Sequence, residues 1–165
     1  MMRTVTVGLM MIAAALTGAS LAAAGQQRAL PAFSVAAADG TVRASGSLSA
    51  EPKWVLLYVT PGCRSCDRLL QALKDWQSPQ LIARTIVIVR GQAGPAAAYM
   101  GERLPPEAAG VAWFADPSNE AAQAMDLRGA PVLVGVDHGQ VNWTISGVLN
   151  DPKSLESVVR TWVEY

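Results

Sequence analysis

Trp54-Val55-Leu56-Leu57-Tyr58-Val59 is an unbroken apolar run rich in β-formers, the pattern expected of a strand buried on both faces. Such a strand needs a layer of chain on each side of its sheet, which restricts the architectures open to the molecule. Thr60-Pro61-Gly62 ends the run, and Leu69, Leu70, Leu73 and Trp76 then recur at helical spacing. The chain's two cysteines stand at this strand-to-helix junction, in Cys63-Arg64-Ser65-Cys66. Cys63 is delivered to the first turn of the predicted helix, where unpaired backbone N–H groups and the positive end of the helix dipole favour a thiolate over a thiol. Arg64 is expected to stabilise that thiolate further, and Arg68 adds positive charge nearby.

The pair admits three readings. As a redox dithiol, Cys63 attacks a disulfide and Cys66, one turn later and less exposed, resolves the mixed disulfide. As half of a zinc site the pair lacks partners, because a structural site takes four Cys or His ligands and His138 is the only histidine. As a structural disulfide it closes a very small loop, where the expected stabilisation is least. The redox reading is preferred, and no metal is expected. A helix-dipole interaction contributes about 0.3–1 kcal/mol toward the thiolate, and a more stable thiolate makes the disulfide more oxidising.

Which compartment holds the pair decides what it can do. Arg3 is the only charge before Arg28, and Val5 to Ala15 is an apolar core of secretory-signal length. Small residues at Ala22-Ala23-Ala24 predict cleavage after Ala24, giving a signal peptide over 1–24 and one domain over 25–165. An uncleaved membrane anchor is the alternative, since Val5 to Ala24 is about long enough to span a bilayer. Outside the cytoplasm disulfides persist and thiols stay reduced only if something reduces them. A catalytic dithiol there requires an upstream redox partner, for which a membrane electron donor is a candidate. Without Arg3 the chain has one fewer cation than its 13 Asp and Glu, so nothing in the charge points to nucleic acid.

Downstream and upstream of the junction, strands alternate with helices. Ala32–Val35 and Thr41–Arg43 flank an Asp39-Gly40 turn. Thr85–Val89 is a strong strand, followed by a helix over Ala96–Arg103 with Pro95 in its first turn and Pro105-Pro106 closing it. Val111–Ala115 is a third apolar strand, with Asp116-Pro117-Ser118 offering a cap for a short helix through Met125. Pro131–Val136 and Val141–Ile145 form a hairpin around Asp137-His138-Gly139-Gln140. Asp151-Pro152 starts a last helix with Leu155, Val158, Val159 and Trp162 on one face. The order predicts an α/β fold on a mixed sheet.

These elements together resemble the thioredoxin superfamily, most closely its extracytoplasmic branch of TlpA-like and ResA-like proteins involved in cytochrome c maturation. The resemblance spans about residues 29 to 164. It rests on Leu30-Pro31-Ala32-Phe33-Ser34 with Asp39-Gly40-Thr41-Val42 as an amino-terminal β-hairpin extension, on Lys53 to Cys66, on Asp116-Pro117 through Arg128-Gly129-Ala130-Pro131-Val132, and on His138-Gly139-Gln140-Val141. It implies a thioredoxin-like fold, a mixed central sheet flanked by helices. The implied activity is thiol–disulfide exchange with protein thiol and disulfide substrates, in either the reducing or the oxidising direction. Cys63 matches the attacking cysteine, Cys66 the resolving one, and Pro131 the cis-proline whose loop, with Ala130, faces the dithiol and receives a substrate strand. No bound cofactor is implied, because the redox-active Cys63–Cys66 disulfide carries the electrons.

Departures from the family are informative. Gly62 stands where thioredoxin has a tryptophan, Arg64-Ser65 replace its Gly-Pro, and Leu57 occupies the place of its buried acid. Proton transfer from Cys66 therefore needs bulk water or another side chain, for which Glu102, Glu107 and His138 are the candidates. His138 reads first as a solvated turn residue, and the five tryptophans read first as core. Two rival functions are compatible with these residues. A peroxiredoxin-like peroxidase is suggested by Thr60-Pro61-Gly62-Cys63, with Leu56 where that family has a proline and Arg128 as the candidate arginine. The other is a thioredoxin-fold binding or scaffold module of an envelope assembly, in which the cysteines are merely oxidised.

Overall fold

The computed structural model describes residues 28–76, 78–104, 110–147 and 152–165. The expected signal segment, Pro105-Pro106, Glu107 and Asp151 lie outside the described residues. The central strand is β4 (Lys53–Val59), and every residue from Trp54 to Val59 is buried. Its side chains alternate between two cores, as a period-2 strand requires. Val55, Leu57 and Val59 face one core, and Trp54, Leu56 and Tyr58 face the other.

Around β4 the sheet assembles in the order β1-β8-β7-β4-β5-β6-β2-β3. These strands are β1 (Arg28–Ala29), β2 (Ser34–Ala36), β3 (Val42–Ala44), β5 (Thr85–Arg90), β6 (Ala112–Asp116), β7 (Val132–Asp137) and β8 (Gln140–Ser146). β4, β5 and β6 run parallel, while β7, β8 and the β2–β3 hairpin add antiparallel pairs. The chain steps from β4 to β5 to β6 in one direction across the sheet. Right-handed crossovers taken in that order put their helices on the same face. Accordingly α1 (Arg64–Lys74) and α3 (Ala93–Arg103) share the first core with α5 (Pro152–Glu164) and the short α2 (Pro79–Ala83). The other face is closed by α4 (Glu120–Ala124) and by Phe33, Val35 and Leu48 of the amino-terminal segment. The expected mixed α/β sheet with helices on its faces and an N-terminal hairpin is the observed architecture.

Local differences from the sequence reading have physical causes. α2 lies inside the apolar stretch before β5, where Ser78 caps it and Pro79 starts it; its five residues are too few to show a helical period. Trp76 is buried, but it lies beyond the end of α1. In α5 the buried stripe is Leu155, Val159 and Val163. Val158 and Trp162 sit to one side, half-buried, where Trp162 meets Trp143 edge-on at 5.5 Å and Lys53 lies 4.7 Å over its ring. Trp54 and Trp76 are core residues, whereas Trp113, Trp143 and Trp162 pack at its border.

Register between β7 and β8 depends on one small residue. Gly135 pairs with Trp143, and the indole lies where a Cβ on residue 135 would stand. Gly135→Ala is expected to force Trp143 off the sheet and destabilise the protein by about 1–3 kcal/mol, the usual range for overpacking. Urea unfolding followed by tryptophan fluorescence measures this, and an unchanged midpoint would contradict the packing described.

Candidate active site

At the end of β4 the chain must leave a sheet that is buried on both faces. Gly62, at φ +81°, makes the turn that a Cβ would strain, and the Cys63 N–H donates back to the Thr60 carbonyl at 3.2 Å. Cys63 thus becomes the N-cap of α1, with an extended backbone, and its sulfur accepts the Cys66 N–H at 3.2 Å. That is the position in which a Ser or Asp oxygen commonly satisfies an orphan helix donor. A thiolate there gains the same hydrogen bond and the favourable end of the helix dipole.

Cys63 and Cys66 are joined as a disulfide, with Cα atoms 5.2 Å apart. The two sulfurs differ in surroundings. Cys63 is half-exposed, while Cys66 is 0 % exposed and packs in the core that also holds Leu57 and Leu69. Only one of them is open to a bulky partner. Arg64, the first residue of α1, is exposed, as is Arg68, and neither makes an ion pair among the described residues.

Opposite the disulfide, Gly129 at φ +100° leads into a cis Ala130–Pro131 peptide bond. The Ala130 carbonyl oxygen lies 3.6 Å from the Cys63 sulfur. Among the described residues neither backbone polar group of Ala130 bonds other backbone, whereas the Pro131 carbonyl accepts from Gly147 N–H at 3.1 Å. The site therefore presents one accessible sulfur beside an uncommitted stretch of backbone.

A cavity of about 290 Å³ opens beside Cys63, lined by Tyr58, Thr60, Arg90, Asn119 and the Gly129–Ala130 turn. Its floor is a polar cluster that sequence reasoning did not find. The Tyr58 hydroxyl donates toward Asp116 Oδ2 at 3.1 Å and Asn119 Oδ1 at 3.3 Å. Asp116, 1 % exposed, also accepts the Ala121 and Ala122 N–H groups at 3.3 Å each. It thereby closes the N-terminus of α4 from four residues upstream, where Asn119, in the left-handed conformation, supplies no side-chain cap. A larger apolar groove, about 560 Å³, lies at the other end of β4 between Lys53, Trp143 and Trp162, and neither cysteine lines it.

Several candidates lie away from the disulfide. His138 occupies the turn after β7, at the opposite end of that strand from Pro131. It is 79 % exposed, with Nδ1 2.6 Å from Asp137. Glu102 is exposed on α3 and pairs with Arg103, which also binds Asp67 of α1 at 3.2 Å and stacks over Tyr99. Tyr99 donates to Asp67 at 2.8 Å, so these groups clamp α3 to α1. Arg128 is 87 % exposed, pairs with Asp126 and does not line the Cys63 cavity.

Burial, the nearby Asp116 charge and the hydrogen bond to it all hold the Tyr58 phenol well above its usual range. The neutral phenol is thus preferred in the fold. Its stabilising contribution is complete below the unfolded value of about 10 and is lost as pH rises beyond it. Native protein at pH 11 is expected to show the same phenolate absorbance with and without Tyr58→Phe. A lower absorbance in the variant would mean that Tyr58 ionises freely and that the cavity floor is not as described.

No protein-family model matches the sequence, and no curated protein matches it significantly. The fold nevertheless has close structural counterparts. A thiol:disulfide interchange protein DsbE from Chlorobium tepidum superposes with a TM-score of 0.65 at 17% identity, over 83% of this chain and 96% of that one. A secreted Mycobacterium tuberculosis disulfide oxidoreductase homologous to E. coli DsbE gives 0.61 at 14% identity, over 78% and 95%. An exposed lipoprotein thioredoxin of Streptococcus pneumoniae gives 0.58 at 14% identity, over 79% and 98%. Together with the strand order, these counterparts show that the chain has the thioredoxin fold.

Proposed function

We propose that the protein is an exported thiol–disulfide oxidoreductase acting on protein substrates through Cys63 and Cys66. The observation that carries this reading is the asymmetry of the pair: a half-exposed sulfur capping α1, bonded to a sulfur sealed in the core. In the reducing direction the Cys63 thiolate attacks one sulfur of a substrate disulfide. A mixed disulfide forms and one substrate thiolate leaves. The Cys66 thiolate then attacks the Cys63 sulfur, releasing the second substrate thiolate and closing the protein's own disulfide. Two electrons pass to the substrate, and oxidation is the same sequence reversed.

Each flanking feature has a part in these steps. The Cys66 N–H and the dipole of α1 stabilise negative charge on Cys63 as it attacks or leaves, and Arg64 adds to the positive field. The uncommitted backbone of Ala130, next to Pro131, offers an extended substrate segment a donor and an acceptor beside the reacting sulfur. Leu57 on the core side provides no proton acceptor for Cys66. Deprotonation of Cys66 is therefore assigned to water or to the substrate thiolate leaving next to it. The electrons reside on the cysteine pair, and no bound cofactor enters the reaction.

Export is supported by the composition of residues 1–24 and by the secreted and surface-exposed description of two structural counterparts. No helix among the described residues is long and apolar enough to cross a membrane. In an oxidising compartment the pair needs a partner that resets it, a reductant or an oxidant according to its direction.

Replacing Cys66 by Ser removes the resolving thiol, so Cys66→Ser is expected to accumulate substrate as a mixed disulfide on Cys63, visible by non-reducing electrophoresis and mass. Cys63→Ser should trap nothing and abolish exchange. A scaffold would behave alike with either serine, and that result would overturn the enzymatic reading.

A further inference from the structure

We infer that the cavity beside Cys63 selects substrates with a carboxylate on an acidic segment next to the reacting sulfur, and that Arg90 reads that carboxylate. This rests on the thiol–disulfide reading of the same site. Arg90 is the last residue of β5. Val87 and Val89 face the α1 core, and Ile86 and Ile88 the other, so strand alternation sends Arg90 to the side of Tyr58 and the cavity. It is exposed, lines the cavity, and makes no side-chain hydrogen bond or ion pair among the described residues.

The acid paired with it across the sheet does not satisfy it. Asp116 is the parallel partner of Arg90 in β6, yet its oxygens are taken by the Tyr58 hydroxyl and by two N–H groups of α4. The same Asp116 holds the cavity together through its backbone, because its carbonyl accepts Gly91 N–H at 3.1 Å and Asn119 N–H at 3.4 Å. That arrangement brings the end of β5 and the turn before α4 to one wall. Asn119 uses its side-chain oxygen on Tyr58, which leaves its amide N–H groups without a described partner.

The balance of donors and acceptors in the wall points to the ligand. The Tyr58 proton is committed to Asp116 and Asn119, so the free side-chain polar capacity of the wall consists of the Arg90 guanidinium, the Asn119 amide donors and the Thr60 hydroxyl, which donates and accepts, beside the uncommitted Ala130 backbone. A surplus of donors with a positive charge matches a group that only accepts, and an ionised carboxylate is that group among protein side chains. Arg64 and Arg68 add positive charge to the approach, and Asp67, the acid between them in sequence, is already paired with Arg103. The cavity is continuous with the Gly129–Ala130 turn, so its occupant is a side chain borne by the same extended segment that meets Ala130.

The test uses short cysteine peptides capped as methyl disulfides, with either Glu or Gln on both sides of the cysteine, and measures their second-order reaction with the reduced protein at low ionic strength. The Glu peptide is expected to react about fivefold faster, the advantage one accessible charge pair supplies, and added salt should erase the difference. In Arg90→Gln the ratio should fall to about one and in Arg90→Glu it should invert, while Arg90→Lys and the remote Arg160→Gln should retain it. Equal rates in the unaltered protein, or a preference that survives Arg90→Gln, would overturn this inference alone. Reaction with neither peptide would overturn the oxidoreductase reading and this inference with it.

Discussion

Burial of β4 on both faces is the constraint from which the site follows. No residue from Trp54 to Val59 can turn to solvent, so the chain can expose chemistry only where the strand ends. Parallel pairing with β5 and antiparallel pairing with β7 hold that end in place from either side. β7 begins directly after Pro131, and its last β4 pair is Val132 with Tyr58. The Gly129–Pro131 turn is thereby carried to the level of Cys63. One register thus sets both the dithiol and the backbone that confronts it.

Within the site, fixed dipoles rather than titrating neighbours supply the chemistry on the α1 side. Cys63 caps the helix and Cys66 is sealed beneath it, so the same turn creates an accessible, anion-stabilising sulfur and an inaccessible partner. On the cavity side polar groups are abundant but mostly spent. Asp116 serves Tyr58 and the start of α4, which makes it a structural acid beneath the cavity that Cys63 lines. Arg90 is the contrasting case, a cation in the same wall with nothing described to bind.

What could be read from sequence was whatever is local. The run Trp54–Val59, the break at Thr60-Pro61-Gly62 and the period of α1 lie within about two dozen residues, and they located the disulfide. The Asp39-Gly40 hairpin and the Asp137–Gln140 turn were legible for the same reason, since turn chemistry is a short-range signal. β1 was not legible because two residues acquire strand character only by pairing with Gln140 and Val141. The cavity was hidden for a related reason: Tyr58 comes from β4, Arg90 from β5 and Asn119 from the turn after β6, and only parallel pairing of those strands makes them neighbours. His138 shows the converse. Its side-chain chemistry drew notice, but strand direction places it at the wrong end of β7.

The central claim is that Cys63 and Cys66 form a working redox couple and not a static cross-link. It is tested most directly by equilibrating the protein across glutathione redox buffers and reading the thiol state by alkylation and mass. The account predicts one reversible two-electron transition, with a midpoint in the range of about −270 to −120 mV spanned by reducing and oxidising proteins of this chemistry. A pair that stays oxidised throughout that range would contradict it.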